Sequence, residues 1–168
     1  MTTAPRPPLR RLHTAAATLA LGLSLAMPAL AQVQGSLSAQ RSGRVSNPVV
    51  QAEILPGWAT AQGTHMAALH LVLSPGWHTY WRIPGNAGIE PRFDWAASQN
   101  VASVVPIWPR PQIFDQNGYR TYGYEDTLIL PLEITAADPR RPMALVGALA
   151  IGVCAETCVP ADVQVSGV

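Results

Sequence analysis

The sequence contains no lysine; all eleven of its cations are arginine. That excludes Schiff-base chemistry, a P-loop lysine and a lysine general base. Charge of either sign is scarce. Asp, Glu, Lys and Arg make up 12% of the 168 residues, about half of the roughly 25% usual in soluble domains. Eleven cations against ten acids leave a formal charge of +1. No basic run is present, so no nucleic-acid partner is expected. Long apolar runs are missing as well. The longest after the first 31 residues is 143–153, well short of the ~20 residues that cross a bilayer. Gly-rich phosphate loops, G-x-S-x-G elbows and H-x-x-x-H pairs are absent. Cysteine is limited to Cys154 and Cys158. With 48% apolar residues the chain still has the material for a core, and its length suits one domain.

Arg6, Arg10 and Arg11 precede an apolar run over 14–26, which Pro28 and Ala29-Leu30-Ala31 follow. This is the pattern of a cleaved secretory signal, with the mature chain starting near Gln32. The run is too short to serve as a membrane anchor. Residues 1–31 are thus expected to be removed, 32–47 to form a flexible lead-in, and 48–168 to form the domain. Eight arginines against ten acids then give the mature chain 8 − 10 = −2. An exported chain reaches a compartment where disulfides form.

The rest reads as strands between turns. Residues 65–73 alternate, with Ala67, Leu69, Leu71 and Leu73 on one face. Similar short segments lie at 49–55, 77–83, 92–95, 101–107, 128–134, 143–153 and 162–165. Pro56-Gly57, Ser74-Pro75-Gly76 and Pro84-Gly85-Asn86 are turn signals. Pro131 suggests that its strand is an edge or bulged. Gly147 and Gly152 mark places where theirs can bend. About eight strands, with no helix beyond a turn at 94–99, predict an antiparallel all-β sandwich. Leu69, Leu71, Leu130 and Leu132 are its expected core.

Several groups of residues carry possible chemistry. The five tryptophans suit sugar stacking or ordinary packing; Trp77, Tyr80 and Trp81 cluster on one strand. His65, Met66, His70, His78 and Met143 are soft ligands of the kind copper takes. His65 and His70, five apart, face opposite sides of a strand, so no metal is assigned and no cofactor is expected. Cys154 and Cys158 can close a small loop at the end of a β-run. As a staple the bond is weak, roughly 2 kcal/mol for five residues against about 3 for fifteen. Three readings stay open: a redox pair, a structural disulfide, or a dithiolate site for cuprous ion. Glu156, between the thiols, disfavours a thiolate.

The segment 77–88 (Trp-His-Thr-Tyr-Trp-Arg-Ile-Pro-Gly-Asn-Ala-Gly) opens an ordered set of motifs. Trp108-Pro109-Arg110-Pro111 with Phe114, Gly123-Tyr124, Leu130-Pro131-Leu132, Val153-Cys154 and Cys158-Val159-Pro160 follow it. Together they resemble the N-terminal periplasmic domain of the thiol:disulfide interchange protein DsbD. Within that family they are most similar to the branch containing the suppressor of copper sensitivity protein B. The resemblance implies an immunoglobulin-like sandwich with a redox-active Cys154/Cys158 pair. It implies electron exchange between a transmembrane donor domain and periplasmic thioredoxin-like partners; the alternatives are a copper-binding or copper-tolerance module using the same cysteines, or a structural sandwich with a stapling disulfide. It also implies a cap over the pair at 112–115, carrying Phe114 and Asp115, with Trp77, Tyr80 and Trp81 lining the neighbouring surface. The transmembrane and thioredoxin-like domains of the larger relatives have no counterpart here. The chain is therefore either a stand-alone module or the front part of a longer one.

Overall fold

A strand with an apolar residue at every second position must bury one of its faces. Residues 65–73 and 128–134 have that pattern. In the computed structural model of the chain, which describes residues 45–116 and 118–168, they lie side by side, Leu69 opposite Leu130 and Leu71 opposite Leu128. The described residues form eleven strands and no helix: β1 (Val45–Asn47), β2 (Val50–Ala59), β3 (His65–Leu73), β4 (His78–Gly85), β5 (Arg92–Asp94), β6 (Val101–Pro106), β7 (Gln112–Gln116), β8 (Tyr119–Glu125), β9 (Thr127–Ala136), β10 (Leu145–Cys154) and β11 (Cys158–Gly167). One sheet has the order β1-β2-β3-β9-β6. The other has β11-β10-β4-β8-β7, with β5 added against β10. All the pairings are antiparallel.

The two inner faces form one core. Ile54, Leu69, Leu130, Leu132 and Ile134 from the first sheet meet Leu145, Leu149, Val153 and Val163 from the second. Leu69, Leu130 and Leu132 are 0% exposed and Leu71 1%, so the expected core residues are the observed ones. Each such side chain contributes roughly 2 kcal/mol relative to exposure. An aromatic ladder packs against this core. Trp108 stacks between Phe93 and Tyr124, and the Tyr124 hydroxyl donates to the Pro109 carbonyl at 2.8 Å. Burial pushes the Tyr124 phenol up to about 12. Trp77, Trp81, Trp95 and Trp108 all pack against the core, and Trp58 alone of the tryptophans is largely exposed.

Several sequence expectations need correction. Residues 45–47, placed in the lead-in, pair with β2 as β1; the rest of the lead-in and the signal segment lie outside the described residues. Pro56-Gly57 does not turn the chain, because a register shift between Leu55 and Trp58 absorbs it inside β2. Pro131 sits in an interior strand. Its carbonyl accepts from Ile107 N, so its nitrogen faces the side where β6 ends at Pro106 and no ladder bond is lost. Gly147 and Gly152 make room rather than bends. A Cβ at Gly152 would lie 2.6 Å from Ile89 Cβ, and one at Gly147 would strike the Trp95 ring. β7 and β8 were not anticipated, and β11 begins at Cys158, four residues before the expected strand. No helix among the described residues is long and apolar enough to cross a membrane.

Candidate functional site

β10 and β11 form a hairpin whose last register pair is Cys154 opposite Cys158. Ala155, Glu156 and Thr157 make its turn, closed by Ala155 N donating to the Thr157 carbonyl at 3.3 Å. The cysteines are joined in a disulfide, with Cα atoms 4.0 Å apart. The two positions differ sharply in access. Cys154 is 1% exposed, whereas Cys158, at the start of the edge strand, is exposed.

β4 supplies the other half of the site. It pairs with β10 through His78 opposite Cys154 and Thr79 opposite Val153. The Thr79 hydroxyl donates to the Gly152 carbonyl at 2.9 Å and ties the two strands together. Side chains alternate along a strand. His78 and Tyr80 therefore share the face of the cysteines, while Trp77 and Trp81 turn to the core. The sequence-based cluster of Trp77, Tyr80 and Trp81 is thus split by the pleat. Trp81 is engaged by the Tyr122 ring at 6.3 Å and the Arg82 guanidinium at 5.1 Å. Tyr80 alone of the three reaches the sulfurs, its hydroxyl 2.8 Å from Cys154 Sγ and 3.2 Å from Cys158 Sγ.

The chain after β4 folds back over that tyrosine. A Cβ on Gly88 would lie 2.9 Å from Tyr80 Cδ1, and Ile89 fills the space above Gly152. Asn86 N donates to the Arg120 carbonyl and anchors the segment. Tyr80 is left 3% exposed. Burial pushes its phenol up, so the hydroxyl keeps its proton and stays a donor.

The expected cap at 112–115 is strand β7, not a loop. Phe114 lies opposite Thr121 of β8 and stacks on the His78 ring, with centroids 4.6 Å apart and planes 18° apart. His78 also meets the Tyr80 ring edge-on at 5.5 Å. Phe114, Asp115, His78 and Glu125 line one open cleft with Ala155 and Glu156 of the inter-cysteine turn. Asp115 does not touch the sulfurs. Arg120 donates to it twice, at 2.8 and 3.0 Å, and holds its carboxyl below the usual range. Sequence reasoning grouped His78 with the scattered histidines. The usable signal was its position two residues before Tyr80, which puts both on one face. Of the other candidate ligands, His70 is bound to Glu53 and Thr127 on the far sheet, away from His78.

When the bond between the sulfurs breaks, one of them becomes a thiolate, and the Tyr80 hydroxyl is in place to donate to it. A hydrogen bond to a charged group is worth about 2 kcal/mol. Tyr80→Phe is therefore expected to slow reduction of the disulfide about tenfold or more. Alkylation of freed thiols over time measures it, and an unchanged rate would show that the hydroxyl is idle.

No curated protein matches the chain. Among solved structures, the N-terminal periplasmic domain of ScsB from Proteus mirabilis is 30% identical, with a TM-score of 0.61. The match covers 74% of this chain and 49% of that one, so the chain spans about half the length of this relative. The family model described as the N-terminal domain of the thiol:disulfide interchange protein DsbD matches residues 48–168. With the cysteine pair closing its β10–β11 hairpin, the chain belongs to the family of DsbD N-terminal domains.

Proposed function

We propose that the chain is an exported electron-relay domain that exchanges its Cys154–Cys158 disulfide with periplasmic thioredoxin-like proteins, and in which Cys158 is the sulfur that meets the partner. The observation that carries this is the contrast in access: Cys158 is exposed and Cys154 buried under Tyr80. A partner thiolate bonds to Cys158 Sγ and the Cys154–Cys158 bond breaks. Its electron pair goes to Cys154 Sγ, which accepts a hydrogen bond from Tyr80 and then a proton. The partner's second thiol displaces Cys158 Sγ, which leaves with the other electron pair and is protonated. Two electrons and two protons have then moved from the partner dithiol to the domain. The reverse sequence delivers them to an oxidised partner. A membrane electron donor fits one end of this relay, and the Ala29-Leu30-Ala31 cleavage pattern supports export.

The test is direct. The disulfide should be reduced by a reduced thioredoxin-like protein, and its potential should lie above about −300 mV, the level below which structural disulfides typically fall. Both are read by quantitative alkylation in defined thiol buffers. A bond that resists such proteins and sits below that level would leave a structural staple.

A further inference from the structure

The turn between the two cysteines forms one wall of an open cleft of about 790 Å³. Three carboxylates line this cleft: Asp115 from β7, Glu125 from β8 and Glu156 from the turn itself. No arginine lines it. The charge of Asp115 is answered by Arg120, which donates to it twice. Glu125 and Glu156 are exposed and make no ion pair or hydrogen bond among the described residues. His78 lines the same cleft, opposite Glu125 in the β4–β8 register. It is 5% exposed, and neither nitrogen of its ring has a hydrogen-bond partner among the described residues. Buried polar groups are normally hydrogen-bonded, so this imidazole lacks a partner that an occupant of the cleft can supply. We propose that the cleft selects the exchange partner by charge: it takes a lysine or arginine side chain that the partner carries beside its reactive sulfur, held by Glu125 and Glu156 and hydrogen-bonded to His78. The proposal rests on the exchange reading above and names the chemistry of the partner's surface.

Glu156 is two residues from each cysteine, so whatever bonds to the exposed Cys158 arrives beside its charge. Burial holds the proton affinity of His78 down, and Glu125 opposes this only in part. The ring is therefore neutral at and above neutral pH, and one of its nitrogens accepts. A cationic N–H finds two uncompensated carboxylates and an imidazole nitrogen as acceptors. An anion finds only repulsion. Opposite charges speed encounter, and like charges suppress the wrong partner.

The experiment starts from the reduced domain at about pH 8, above the ordinary histidine range. It follows oxidation by three disulfides: cystamine, with an ammonium at each end, hydroxyethyl disulfide, without charge, and dithiodipropionate, with a carboxylate at each end. Cys158 Sγ bonds to one reagent sulfur and the other leaves as a thiolate. Cys154 Sγ then bonds to Cys158 Sγ and displaces the second, so two electrons pass to the reagent and the two thiol protons leave with them. The reagent's own reactivity is common to wild type and variants, and cancels when they are compared. The wild-type preference for cystamine over dithiodipropionate should fall about tenfold in Glu125→Gln/Glu156→Gln, at an ionic strength of about 10 mM, where charges act over about 30 Å. About 1 M salt shortens that range to about 3 Å and should bring the wild type close to the variant. His78→Phe keeps a ring between Tyr80 and Phe114 without a nitrogen. It should slow cystamine about threefold relative to the uncharged reagent. A preference unchanged by the paired substitution, or a cystamine ratio unchanged in His78→Phe, overturns the proposal. The reagents need no protein partner. Failure to exchange with thioredoxin-like proteins would sink the relay reading alone, and a charge-blind domain that does exchange would sink this one alone.

Discussion

Cys154→Ser should accumulate a mixed disulfide with a thioredoxin-like partner, and Cys158→Ser should not. Read as a sequence, either cysteine can lead the attack. The fold separates them. In Cys154→Ser the surviving thiol is the exposed one at the start of the edge strand β11, free to form the intermolecular bond and with no neighbour to resolve it. In Cys158→Ser the surviving thiol is 1% exposed beneath Tyr80. Both variants lose the same five-residue closure, worth roughly 2 kcal/mol, so a difference between them reports access rather than stability. Turnover should vanish in both, with a reductant-sensitive band on a non-reducing gel in the first only. Equal trapping by the two variants, or trapping by Cys158→Ser alone, would reverse the assigned order.

A second large effect is expected at a residue that bears no reactive group. Gly123 of β8 lies opposite Tyr80 of β4 and Gln112 of β7. A Cβ there would run into the Thr79 carbonyl oxygen and come within 3.2 Å of Tyr80 Cα. These are backbone atoms, so no side chain can swing aside. β4 would have to part from β8, carrying Tyr80 and His78 with it. Gly123→Ala should cost about 3 kcal/mol, a fall in midpoint on the order of 10 °C for a domain of this size. It should also slow exchange through the displaced tyrosine. Gly63→Ala is the control. Gly63 has φ +83° with nothing near its missing Cβ, so that variant should lose only about 1 kcal/mol of backbone preference. Urea unfolding of both variants measures the contrast, and equal losses would show that the close approach at Gly123 is not what matters.

How much of this was legible depends on the kind of signal. The strict alternations of β3 and β9 named the core, because a period of two places Leu69, Leu71, Leu130 and Leu132 on one side whatever the neighbours are. The β7–β8 hairpin was missed because residues 112–125 mix polar and aromatic types without clean alternation. The Asn-Gly pair at 117–118, a favoured hairpin turn, was the signal available. β11 was begun late because Cys158, Val159 and Pro160 look like the end of a loop. Only the pairing with β10 shows them as strand.

The site divides the same way. Local pattern by itself determined that the chain is all-β and that two isolated cysteines end a β-run. Each depends on residues adjacent in sequence. It also showed that 77, 79 and 81 share one face of the extended segment and 78 and 80 the other. It did not show which face turns inward, since both sets are rich in aromatics. Tertiary structure decided that by laying β4 between β10 and β8, which packed Trp77 and Trp81 against the core and put Tyr80 at the sulfurs and His78 opposite Cys154. It also decided which cysteine is buried and that Phe114 stacks on His78. Burial and ring contact come from residues dozens of positions apart, which only the packing of one strand against another brings together.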